Sequence, residues 1–208
     1  MATEVFDALR SLGLSKDVDG FVEERRYRRI GTRVLGLPVL GDDALESVSP
    51  SDTILVGGIG SPLRAEWFSR LERLGLRFRE IVHPGAQLGS DVRLSEGVFI
   101  GAGAVATTNI RLGRHSIVNV GATISHDTEI GDYGTIGPGV SIGGSTKVGE
   151  RTWVGIGSTI LNGIEIGPRS FIGAGSVVTK DLPADTLAYG VPARSVRRLT
   201  QSDWNELV

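Results

Sequence analysis

The chain has 208 residues, a formal net charge of −2 and no cysteine. That length suits one large domain or two small ones. The charge offers no broad basic field for nucleic acid, and the lack of thiols excludes disulfides and thiolate metal sites. No apolar run approaches a membrane span and the N-terminus lacks a basic-then-apolar leader, so a cytoplasmic protein is expected.

Residues 1–81 read as a small α/β domain. "TEVFDALRSLGL" has helical spacing and stops at Gly13. "GFVEER" reads as a strand leaving into a turn, and "VLGLPVLG" as a short strand and loop. "DTILVGGIG" is a strand running into glycines, followed by the amphipathic helix "PLRAEWFSRLERLGL". Alternating strands and helices imply a parallel α/β arrangement. The junction from Gly57 to Ser61, with Gly58 and Gly60, is where such a sheet holds phosphates. A plain βα turn is the alternative, because the full dinucleotide fingerprint is missing.

Residues 82–183 obey a different rule. An aliphatic residue recurs every six positions from Val82 to Val178, 17 times without a slip. The next position is often Gly, as at Gly101, Gly131 and Gly143, and four residues after the aliphatic comes a small or β-branched one. Six residues suit one short strand and one tight corner, and three such flats close a triangular coil. A residue then stacks on the one 18 positions later, as His126 does on Gly144 and Gly144 on Asn162. The aliphatics fill the interior, and the following Gly is expected to supply backbone angles denied to other residues. Pro183 and Pro192 stop the repeat, and within residues 184–208 "SDWNELV" suggests a short helix begun by Ser202 or Asp203. Arg194, Arg197 and Arg198 form a dense basic cluster whose guanidinium forks match phosphate oxygens.

Chemistry that takes a proton from an attacking group needs a side chain that can act as base. His126, in "SHD" beside a corner, supplies an imidazole, the side chain most often used as a general base. Asp127 is the adjacent carboxylate, either its partner or an ordinary turn residue. His83, His115 and His126 are separated by 32 and 11 residues, which multiples of six do not align, so no histidine zinc site is expected.

The hexads, "HPGA" at the domain junction, "SHD" within the prism and "AYGVPAR" at its end together resemble one family group. It comprises the sialic-acid O-acetyltransferases and the bacillosamine and perosamine N-acetyltransferases. The resemblance spans nearly the whole chain. It implies a left-handed parallel β-helix preceded by a Rossmann-like acceptor-binding domain, with acetyl-CoA as co-substrate, and a homotrimer. It implies His126 as base and Asp127 as its partner. Asn119, seven residues earlier, is placed near the acceptor from a neighbouring subunit. Gly58 and Gly60 fall in the acceptor-binding domain, Gly144 at an oxyanion contact, Asn162 along the pantetheine track and Arg194 at the CoA phosphates. Two departures stand out. The chain begins at "MATEVFDALR", so the small sheet is expected to lack its first strand and glycine-rich loop. Thr135 stands where some relatives carry a second histidine, and a hydroxyl cannot serve as that base. The expected activity is acetylation of a nucleotide-linked amino sugar for surface-glycan synthesis. The alternatives are O-acetylation of a free sugar such as a sialic acid, and a non-catalytic trimeric scaffold.

Overall fold

The computed structural model describes residues 1–24 and 30–207. Helix α1 (Ala2–Ser11) buries Val5, Phe6, Ala8 and Leu9. A strand at Phe21–Glu23 pairs in parallel with Leu37–Gly41, whose other edge pairs antiparallel with Arg33–Val34. The turn expected after Glu23 lies outside the described residues. A second small sheet joins Ile54–Leu55 in parallel to Arg77–Phe78, with α2 (Arg64–Arg73) between them in the chain. The N-terminal strands thus divide into two small sheets.

From Ile81 to Val178 the chain lays down 17 strands of two or three residues. They form the three parallel faces of a left-handed β-helix, and each strand pairs with the one 18 residues on, as Ile124 with Ile142 and Ile142 with Ile160. The hexad aliphatics stack into one core: Ile124, Ile136, Ile142, Ile160 and Ile172 are each at most 2% exposed. Several fully buried hydroxyls are satisfied within the wall, although among the described residues the Ser116 hydroxyl is buried without a partner. Thr146, Thr152 and Ser158 each donate to a carbonyl 15 residues further on, at 3.0–3.3 Å.

The glycines have a different cause from the one expected. Gly101, Gly131, Gly137 and Gly143, directly after the aliphatics, do not have positive φ. Their constraint is the coil above. A Cβ on Gly131 would lie 2.5 Å from the Glu150 nitrogen, and one on Gly137 2.8 Å from the Val154 oxygen. The left-handed backbone conformation sits two residues further along, at the corners. One edge fills it with Gly121, Gly139 and Gly157; the other two use residues such as Asn109, Asp127 and Ser145, or His115, Tyr133 and Arg151.

The outer rows of the faces differ in chemistry. One face carries Ile81, Phe99 and Ile117, covered by Val5, Ala8 and Leu9 of α1. Further along it Trp153 stacks on Phe171, with ring centroids 6.1 Å apart, and Trp204 closes over Phe171 at 6.0 Å. The second face presents exposed Thr123 and Ser141. The third presents exposed Arg93, Arg111, Glu129, Lys147 and Glu165. The segment after Pro183 is chiefly a hairpin, Thr186–Gly190 with Ala193–Arg198, which precedes the expected short C-terminal helix. Its first strand pairs in parallel with Phe171–Ile172 and so covers an open edge at the prism end. The helix contracts to α3 (Trp204–Leu207), and Val208 lies outside the described residues.

Candidate active site

The edge between the second and third faces carries Ser90, Thr108, His126, Gly144 and Asn162, spaced 18 apart. Backbone bonds stack these corners: Asp127 N–H donates to Thr108 O at 3.2 Å, Ser145 N–H to His126 O at 2.8 Å and Gly163 N–H to Gly144 O at 2.9 Å. Each side chain on this edge is therefore held one strand spacing above the last.

The His126 ring lies over Gly144. A Cβ built there would come within 2.6 Å of both Cε1 and Nε2, so only glycine leaves room for this ring position. His126 Nδ1 is 2.8 Å from Asp127 Oδ2, and both side chains are more than half exposed. With Nδ1–H donating to the carboxylate, the lone pair falls on Nε2. Asp127 Oδ1 accepts from Asn109 Nδ2 at 2.6 Å, one coil below. The Asn109 amide, and after it the His126 ring, hold the Asp127 carboxyl below the ordinary carboxylate range. On the other side the Gly144 N–H donates to Asn162 Oδ1 at 3.1 Å. Polar contacts thus join Asn109, Asp127 and His126 on one side and Gly144 and Asn162 on the other, with the His126 ring packed against Gly144 between them.

The structure gathers His126, Asp127, Gly144 and Asn162 on this edge, and leaves the other candidates elsewhere. Asn119 sits on the edge between the first and second faces, its Oδ1 accepting from Val120 N–H at 2.7 Å. Gly58 and Gly60 lie against other parts of the chain: a Cβ on Gly58 would meet Ala2 at 3.1 Å, and one on Gly60 the Trp153 ring at 3.9 Å. Arg194 is exposed on the terminal hairpin, paired in register with Tyr189, and donates to the Ala193 carbonyl at 3.1 Å. Its neighbours Arg197 and Arg198 are engaged by Asp203 at 2.7 Å and Asp185 at 3.4 Å.

Sequence reasoning passed over Asn109, although its place 18 residues before Asp127 was the available signal. The other two histidines serve the framework. His83 Nδ1 accepts from Gly85 N–H at 2.9 Å in the junction turn. His115 is 1% exposed, with Nε2 2.8 Å from Glu72 Oε1 and its ring stacked on Tyr133 at 5.0 Å. Among the described residues no group of three or more His, Asp or Glu side chains is arranged to hold a metal, and no helix is long and apolar enough to cross a membrane.

Comparison with known proteins defines the class as an acyltransferase. The bacterial transferase hexapeptide family (six repeats) matches residues 145–180. The chain is similar to the perosamine N-acetyltransferase of Caulobacter crescentus, whose structure was determined with CoA and GDP-perosamine. The two are 34% identical, with 94% of this chain and 92% of that one covered and a TM-score of 0.87. It is also similar to the acetyltransferase domain of PglB from Neisseria gonorrhoeae, at 26% identity, with 93% and 94% covered and a TM-score of 0.85. WeeI from Acinetobacter baumannii gives 26% identity, 93% and 92% coverage and a TM-score of 0.83. No curated protein sequence matches. The chain belongs to the left-handed β-helix acyltransferases of the sialic-acid O-acetyltransferase and bacillosamine/perosamine N-acetyltransferase group.

Proposed function

We propose that the protein transfers an acetyl group from acetyl-CoA to the amine of a nucleotide-linked amino sugar, for surface-glycan synthesis in the cytoplasm. The observation that carries this reading is the His126 ring, braced by Asp127 at 2.8 Å and laid over Gly144 with Nε2 open. The similar Caulobacter enzyme, bound to CoA and GDP-perosamine, supports a sugar-nucleotide acceptor.

Acetyl-CoA supplies the acetyl group as an activated thioester. His126 Nε2 removes a proton from the acceptor amine as its nitrogen bonds to the carbonyl carbon, and returns that proton to the departing sulfur as the C–S bond breaks. Asp127 keeps Nδ1 protonated and steadies the imidazolium. The Gly144 N–H, exchanging Asn162 Oδ1 for the developing oxyanion, offsets the charge on the carbonyl oxygen. Asn162, turned outward by that exchange, contacts the pantetheine arm, and Arg194 meets the CoA phosphates. Gly144 fits this co-substrate because a side chain there would occupy the space beside the base.

Asn119 and His126 lie on different edges of one face, and the Gly58–Gly60 loop packs against another face, near Trp153. One chain therefore does not complete the site. A homotrimer that sets the edge bearing Asn119 of one copy beside His126 of the next brings them together.

Thiol release followed with Ellman's reagent tests the reading, since the chain has no cysteine to react. The acceptors are GDP-perosamine, UDP- and dTDP-linked amino sugars, and free sialic acid. Release with a nucleotide amino sugar, lost in His126→Ala, is expected. Release with sialic acid alone makes the enzyme an O-acetyltransferase. Release that survives in the variant removes His126 as the base.

A further inference from the structure

We propose that Arg64 and Thr135 form a buried clamp that positions the acceptor, acting through the Gly57–Ser61 loop. This rests on the reading that the loop takes the acceptor.

Arg64 stands at the start of α2 and is 2% exposed. Its Nη1 donates to Gly60 O at 2.9 Å and to Thr135 Oγ1 at 3.0 Å. Its Nη2 donates to His115 O at 2.7 Å and, more weakly, to Gly134 O at 3.3 Å. Thr135 Oγ1 in turn donates to Gly60 O at 2.8 Å. Guanidinium, hydroxyl and carbonyl thus close a triangle in which Gly60 O accepts from both Arg64 and Thr135, while the buried Arg64 Nε has no partner among the described residues. Two side chains, one from the N-terminal domain and one from the prism, hold a single loop carbonyl.

Among the described residues no carboxylate lies within ion-pair distance of Arg64, and burial lowers its pKa to about 9. Confining a cation to neutral acceptors costs stability, and apolar replacements at such sites are often as stable or more so. A contact needed only for cohesion has cheaper solutions. What the planar fork supplies is direction: four acceptors from the loop and two prism coils are fixed at once, which a single ammonium cannot reproduce. Because a trans peptide sets its C=O and N–H on opposite sides, pinning Gly60 O to the prism turns the Ser61 N–H away from it. The clamp therefore fixes the face that the loop presents outward. Thr135 has no base to offer, and here its hydroxyl has a defined use.

Thr135→Val and Arg64→Lys, in the full chain, separate positioning from chemistry. With the wild type's best acceptor, Thr135→Val is expected to raise the acceptor KM about fivefold and Arg64→Lys at least about tenfold. The KM for acetyl-CoA and the kcat at saturation should stay within about twofold. Amide hydrogen exchange of the peptide from Leu55 to Leu63 should accelerate in both variants while the prism strands exchange as before. Unchanged exchange in a folded Thr135→Val protein, or an equal rise in both KM values, overturns the clamp. If the wild type binds none of the acceptors, the acceptor reading fails, and the exchange arm alone then decides whether the loop is clamped.

Discussion

Two edges of the same prism each carry a histidine paired with a carboxylate at 2.8 Å, and the two pairs have opposite fates. His115 is roofed by α2, with Glu72 on Nε2, Tyr133 stacked on its ring and Phe78 edge-on at 4.8 Å. His126 is 56% exposed in its side chain, with Asp127 on Nδ1 and only a glycine above. The distance is the same; cover decides the use. Under α2 the imidazole is a packing piece whose Nδ1 is buried without a partner. On the bare edge the nitrogen left over stays uncovered.

That contrast can be broken one residue at a time. The largest effect is expected for His126→Ala: turnover falls about 10³-fold while the melting temperature holds, checked by thiol release and calorimetry. His115→Ala should do the reverse. It empties a cavity among Phe68, Phe78 and Tyr133, costs about 3 kcal/mol in denaturant unfolding and leaves kcat unchanged in the folded fraction. Asp127→Asn should lower kcat about 10²-fold by removing the tautomer brace, with little change in either KM.

Acidification should separate the two histidines further. Burial, first among the causes, lowers the folded His115 pKa below 6.5, its ordinary value. Both folded and unfolded states are neutral above that value, and below it the unfolded chain takes the proton first. Stability is therefore fully present above about pH 6.5 and declines as pH falls toward the lower folded pKa. The carboxylates with lowered pKa lose their contribution only below 3.8. Melting curves between about pH 7 and 5 should thus fall for the wild type and flatten for His115→Phe. The smallest effect belongs to Asn109→Ala, which loosens Asp127 and should cost about threefold in kcat, read from the same thiol assay.

The prism and its exposed dyad were legible because a six-residue period and "SHD" are local patterns. Asn109 was legible only after residues 18 apart are seen to stack. The fate of His115 was not legible, since what covers it comes from α2, about forty residues away in the chain. The same holds for Arg64 and Thr135, which meet across 71 positions. The hairpin after Pro183 is not legible in the sequence because its role, closing the last coil, exists only once the coils are stacked. The glycines after the aliphatics were found, but the clash that dictates them lies with the next coil rather than in their own torsions.

The strict stacking of residues 18 apart makes the prism a ruler graduated in coils. Each rung rises about 4.8 Å, so Asn162 stands roughly 10 Å from the level of His126. An insertion of one whole coil between them lengthens this edge by a rung and keeps every residue on its own edge. An insertion of a single hexad turns the upper part by one face and carries Asn162 off the edge that bears His126. The distance between two residues on this edge is therefore adjustable only in whole turns of the helix, a constraint set by the arithmetic of the repeat.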